Sequence, residues 1–175
     1  MLKLVFVVIM LLIAALLFVA GTRPDRFRVR RSIRIDAPRE KVYAIVSDFH
    51  NFVAWSPWAA LDPAMRKTFS GAASGIGAVY EWQGNGKVGQ GRMEITDAVE
   101  PARVVMKLDF LKPFEAHNTA EYLLTSSGEG TEFTWLMEGS NNFVSKLMGL
   151  FFSMEKMLGL QFEQGLASLK SLAEK

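Results

Sequence analysis

The chain has 175 residues, half of them apolar and 22% charged, and no cysteine. That length suits one domain, and the lack of cysteine excludes disulfide scaffolds, thiol nucleophiles and thiolate zinc sites. Two histidines, His50 and His117, are too few for a histidine-rich metal site, so neither a metal nor a cofactor is expected. The formal net charge of +2 hides an asymmetry. Residues 1–34 carry seven basic side chains against one acid, a net +6, while the remainder carries thirteen against seventeen, a net −4. A nucleic-acid binder needs a basic face on its folded part; this folded part is mildly acidic, and nucleic acid is set aside as a partner.

From Leu4 to Gly21 the sequence reads LVFVVIMLLIAALLFVAG, without a charge or a strong polar group. Eighteen residues at ~1.5 Å of rise span roughly 27 Å, enough for a thin bilayer core. The run is longer than a signal-peptide core, and Phe18 is too bulky for the −3 position before Ala20. Residues 1–22 are therefore expected to be an uncleaved single-pass anchor, residues 23–27 a hinge, and residues 28–175 the folded domain. The arginines after the apolar run outnumber Lys3 and the amino terminus, which favours a cytoplasmic domain.

The folded part opens on a half-buried strand over residues 28–36, with Val29, Ile33 and Ile35 on one face and Arg28, Arg30, Ser32 and Arg34 on the other. Pro38 suits a first helical turn, and Val42, Ile45, Val46 and Phe49 form one stripe of a short helix. A second short helix or tight turn is expected over Asn51–Trp55. Strands are then predicted at 65–70, 77–83, 87–98, 102–111, 114–125 and 131–139, broken by Gly, Pro, Asn and Asp. Hairpin-type breaks argue an antiparallel sheet rather than parallel units joined by helices. Residues from Asn142 to about Ala173 read as one long helix, apolar nearly all round in its first half. The fold class is α+β: a curved antiparallel sheet of about seven strands around a long C-terminal helix. Gly89 and Gly91, on alternate positions of one predicted strand, are expected to relax its pleat.

Several segments resemble the SRPBCC superfamily, the helix-grip fold of START-like, polyketide cyclase-like and birch-pollen-allergen proteins. They are RSIRIDAPREKVYAIVSDFHNFVAWSPW at the start, YEWQG at 80–84, GQGRMEI at 89–95, the LysPro–Phe turn at 112–114, TWLMEG at 134–139 and FEQGLASLKSLAE at 162–174. The resemblance covers about residues 28–175 and implies the helix-grip fold. It does not choose among lipid carriers, cyclases and chaperone activators, because one fold hosts many activities.

Strand parity sorts the side chains. Gly89, Gly91, Met93 and Ile95 are expected on the inward face, as are Val104, Met106, Leu108 and Phe110. The same holds for Phe114, Ala116, Asn118, Ala120, Tyr122 and Leu124, and for Phe133, Trp135, Met137 and Gly139. Tyr80 and Trp82 share a face. His117, Glu81, Glu94 and Glu121 fall outward. The predicted ligand-binding set is Tyr80, Trp82, Met93, Met106, Asn118, Tyr122, Trp135, Met137, Met154, Leu158 and Phe162, with His50, Trp55 and Trp58 at the pocket lip. Its polar members are hydroxyls, indole N–H groups and one amide, the profile of an apolar pocket with a few orienting hydrogen bonds. No catalytic residue is assigned. The methionines suit a shape-tolerant wall, and the surface near Phe151 and Phe152 is placed to gate a portal or touch a membrane.

The resulting expectation is a membrane-anchored domain that binds a hydrophobic small molecule or lipid without covalent chemistry. Two alternatives stand beside it. A polyketide cyclase-like enzyme needs Glu81, Glu94, Glu121 or His117 to line the cavity. A protein-interaction module resembling chaperone activators needs a solvent-filled or collapsed cavity and an exposed apolar patch on the helix or loops.

Overall fold

Alternation of apolar and polar residues between Arg26 and Ser140 builds seven strands, which the computed structural model joins in one antiparallel sheet. The structure describes residues 2–141, 143–151 and 153–175, with the side chains of Leu2, Val144 and Met154 outside that description. The elements run α1 (Leu2–Gly21), β1 (Arg26–Ile35), α2 (Arg39–Val46), α3 (Phe49–Trp55), β2 (Arg66–Gly71), β3 (Ala78–Gln83) and β4 (Gln90–Val99). They continue with β5 (Arg103–Lys112), β6 (Ala116–Ser127), β7 (Gly130–Ser140), α4 (Phe143–Met148) and α5 (Met154–Ala173). The strand order is β1-β7-β6-β5-β4-β3-β2. Strands β2 to β7 thus form a meander, and β1 adds beside β7.

The two short helices and six later strands fall where the sequence placed them, and β1 starts earlier, taking in Arg26 and Phe27. The stretch read as one long helix is two. The Gly149 N–H donates to the Ser145 carbonyl at 2.9 Å, closing α4. Ser153 then caps α5, its Oγ accepting from the Lys156 N–H at 3.2 Å. Phe152, in this connection, lies outside the described residues.

The two glycines expected to relax a strand do different things. Gly89 sits in the turn before β4 with φ of +64°, a left-handed conformation that favours glycine. Gly91 is in β4 opposite Trp82, and a Cβ there would overlap the indole ring. Its missing side chain gives clearance to a neighbouring ring.

α5 lies on the concave face and packs chiefly along β1. Phe162 stacks on Trp135 of β7 with ring centroids 4.1 Å apart and planes 9° from parallel. Leu166, Leu169 and Ala173 are buried behind it. Arg31, on the same side of β1 as Val29 and Ile33, reaches Glu155 and Glu163 of α5, each at 2.7 Å. The guanidinium lies over Gly159, where a Cβ would collide with it. Removing the ring of Phe162, which is fully buried, should cost about 3–5 kcal/mol. Thermal melts of Phe162→Ala should show a Tm lower by on the order of 10 °C, and an unchanged Tm would deny this stack its role in holding α5.

Candidate functional site

α5 follows β1 while α2 and α3 reach β6, β7 and β3, and part of the concave face between these helices and the sheet stays open. Between them lies a cavity of about 930 Å³. Its walls are the alternate residues that face inward. Tyr80 and Trp82 come from β3, Met93 from β4, Met106 and Leu108 from β5, Asn118 and Tyr122 from β6, and Trp135 and Met137 from β7. Leu158 of α5 and Trp58, beyond α3, complete the predicted residues on the wall.

The polar groups inside are few and neutral. Tyr80, Asn118 and Tyr122 are buried, and none of their side chains has a hydrogen-bond partner among the described residues. Asn118 pairs with Gly139 across the β6–β7 ladder, and a Cβ at Gly139 would overlap the Asn118 carbonyl oxygen. Burial pushes the Tyr80 phenol up to about 12 and the Tyr122 phenol up as well. Both stay protonated at physiological pH and can donate a hydrogen bond, but cannot serve as bases. The Trp82 indole is already engaged, donating from Nε1 to the Val88 carbonyl at 3.0 Å. The Trp135 Nε1 is buried and has no partner among the described residues. Besides the tyrosines, the ionisable residues on the wall are Lys87 and Glu115, both exposed on turns at the rim. No group of metal-ligating side chains converges among the described residues.

A family described as "Polyketide cyclase / dehydrase and lipid transport" matches residues 26–174. The chain belongs to that family. Solved structures with the same fold include protein CV1439 from Chromobacterium violaceum, at 16% identity and a TM-score of 0.61 over 87% of this chain and 99% of that one. The Aha1 dimer from Colwellia psychrerythraea is similar at 16% identity and a TM-score of 0.56, over 85% and 96%. The di-domain ARO/CYC BexL from the BE-7585A biosynthetic pathway gives 17% identity and a TM-score of 0.63, covering 90% of this chain and 53% of BexL. At such identities the likeness is one of fold. No curated protein matches the sequence.

In this family member, several residues named from sequence stand elsewhere than on the cavity wall. Phe162 is under the wall, stacked on Trp135. The side chain of Met154 lies outside the described residues. Trp55 is buried beneath α3, edge-on to Trp135 with centroids 5.3 Å apart. His50 faces β2, its ring stacked on Phe69 at 4.3 Å, beside a separate depression of about 120 Å³. Asp48 caps α3 by accepting the His50 N–H, and its Oδ1 also lies 2.8 Å from His50 Nδ1. The helix start brings this pair together away from the cavity. Phe114, expected inward on a strand, is in the turn between β5 and β6 and is 72% exposed at the cavity mouth.

Other wall residues carried weaker signals. Phe27 lines the cavity and continues the alternation of Val29, Ile33 and Ile35, so extending that pattern backwards would have found it. Met148 and Met157 also line it, brought there by the break between α4 and α5.

The outer face of the sheet holds the acids and bases. Arg92 pairs with Glu94 at 2.7 Å, Arg103 with Glu121 at 3.9 Å, and His117 Nδ1 with Asp109 at 2.7 Å. Burial alone would raise the Asp109 carboxyl, but hydrogen bonds from His117 and Lys107 outweigh it and hold the group below its ordinary value. The same bond raises His117 above its ordinary 6.5. A raised histidine contributes stability that is complete below 6.5 while Asp109 is ionised, and that fades as pH rises through the folded-state value. Melts across pH should therefore show wild type exceeding His117→Gln on the acid side of that range and converging with it on the alkaline side. A Tm difference that does not change with pH would remove the pair from the stability of the sheet.

Proposed function

We propose that this protein binds an apolar small molecule or lipid, without covalent chemistry, in the cavity between sheet and α5, while α1 anchors it in a membrane. The carrying observation is a cavity of about 930 Å³ with an apolar wall and only neutral polar groups inside. Ligand pockets have this size and composition, with a few polar groups to orient the bound molecule. Tyr80, Asn118 and Tyr122 offer unpaired donors and acceptors from two strands, suited to a carbonyl or hydroxyl on an acyl, isoprenoid or polycyclic ligand. An ionised ligand head would find no counter-charge there, and burying it would be costly.

The outward placement of Glu81, Glu94, Glu121 and His117 favours binding over a cyclase-like reaction, which wants a titratable group beside the reacting atom. The family description covers both cyclases and lipid transport. α1 is long and apolar enough to cross a membrane, and almost none of its surface is buried against the rest of the protein. An anchor of this kind holds the cavity where apolar ligands concentrate. The arginines that follow α1 favour the cytoplasmic side.

Native mass spectrometry of the full-length protein in detergent should show a discrete apolar adduct after incubation with membrane lipid extract. A persistently ligand-free mass would overturn the reading. Ala120→Trp, filling the cavity from the middle of β6, should abolish the adduct. Asn118→Leu should weaken binding of a ligand with a polar head about tenfold, the ~1.4 kcal/mol of one hydrogen bond. Unchanged affinity in Asn118→Leu would take Asn118 out of the site.

A further inference from the structure

The mouth of the cavity and the exit of α1 lie at the same end of the sheet. Strand register settles this. Phe27, at the start of β1, pairs with Gly139, Gly139 with Asn118, and Asn118 with Leu108. The β5–β6 turn that carries Phe114 therefore projects beyond the strand ends at which β1 begins. The opposite end holds the β6–β7 turn, with Ile35 pairing to Thr131.

The link between α1 and the mouth is short and pinned. Four residues, 22–25, separate α1 from β1, a reach of roughly 14 Å at most. The first two continue the last turn of the helix, with Thr22 N–H donating to Phe18 and Arg23 N–H to Ala20, each at 3.2 Å. The rest is fastened to the cavity lip. Asn141 donates from its backbone to the Asp25 carbonyl at 2.8 Å and from Nδ2 to the Pro24 carbonyl at 3.3 Å. Lys146 of α4, with only 11% of its side chain exposed, makes an ion pair with Asp25. α1 also packs directly against α4. Asn141 and α4 are themselves part of the cavity wall, so the direction of α1 fixes the direction in which the mouth points.

Around that mouth the surface is apolar. Phe114, Met148 and Met157 line it while remaining 72%, 48% and 55% exposed; Phe151, in the link between α4 and α5, and Leu160, three residues after Met157 on α5, are 67% and 60% exposed. Exposed apolar side chains gathered at a cavity mouth mark a contact site. Its occupant is indicated by what adjoins it, a helix whose apolar side chains are themselves uncovered. Arg23 in the linker and Arg26 at the start of β1, both exposed, add attraction for anionic headgroups.

We propose that the bilayer entered by α1 also receives the rim, with Phe114, Met148, Phe151, Met157 and Leu160 set in its interfacial region. The cavity then opens into lipid, and an apolar ligand passes between bilayer and cavity without crossing water. This rests on reading α1 as an anchor and the cavity as the ligand site.

The chain has no cysteine, so single-cysteine variants report one position each. Phe114→Cys, Phe151→Cys and Leu160→Cys probe the rim, Leu12→Cys probes α1, and Glu129→Cys probes the far end of the sheet. All five positions are exposed, so the core is untouched. Each full-length variant carries a polarity-sensitive fluorophore and is reconstituted in phosphatidylcholine–phosphatidylglycerol vesicles containing brominated lipid. Lipid quenching at Leu12 and the three rim positions should exceed that at Glu129 several-fold. Quenching at Leu12 alone overturns the docking and leaves the anchor. Absence of quenching at Leu12 overturns both. Rim labels shielded by self-association and untouched by lipid assign the patch to a second copy and also overturn the docking. The ligand reading is judged separately, since an adduct retained in detergent stands whichever way the quenching falls.

Discussion

A straight helix cannot follow a strongly curved sheet over its whole area, and the cavity of this protein exists because of where contact is made and where it is not. α5 is held along one side. Phe162 stacks on Trp135, and Arg31 reaches up from β1 to Glu155 and Glu163, with Gly159 leaving room for the guanidinium between them. The three α5 positions, 155, 159 and 163, are each four apart and so lie on one face of the helix. Fixing α5 to β1 commits it to one edge, and the concave faces of β3 to β6 become cavity wall.

The chemistry of the two sheet faces follows from that division. On the outer face water is near, and charged groups pair along one strand, as Arg92 with Glu94 on β4, or across strands, as Arg103 with Glu121 and His117 with Asp109. On the inner face an ion would lose its hydration without a partner, a cost of several kcal/mol. Hydroxyls, an amide and indole nitrogens can be accommodated there more cheaply. Among the described residues, the ionisable groups that line the cavity besides its tyrosines, Lys87 and Glu115, stand at the rim.

α1 and the mouth share a structural logic that neither has alone. The contacts of Asp25 and Pro24 with Asn141 and Lys146 convert a short linker into a rigid coupling. A free tether would let the domain take any orientation relative to α1. A pinned one gives the cavity a defined heading, and it places the uncovered aromatic and thioether side chains of the rim on the side of α1.

Much of this was legible in the chain itself, because two patterns carry their own geometry. Period-two alternation placed Met106, Asn118, Tyr122, Trp135 and Met137 on one face before any sheet was assembled, since successive side chains on a strand must point to opposite sides. The uninterrupted apolar run marked α1 by length alone. Ser153 and Gly149 were visible as polar and flexible points in a helical stretch, yet only assembly showed that they split it, because the apolar residues around them suit one helix as well as two. Tertiary structure alone decided that His50 turns toward Phe69, that Trp55 lies beneath the cavity rather than at its lip, and that Gly91 and Gly139 clear space for Trp82 and Asn118. It likewise decided that the mouth and α1 share an end. These depend on which elements pack together across the fold, and local sequence periodicity does not encode distances between residues far apart in the chain.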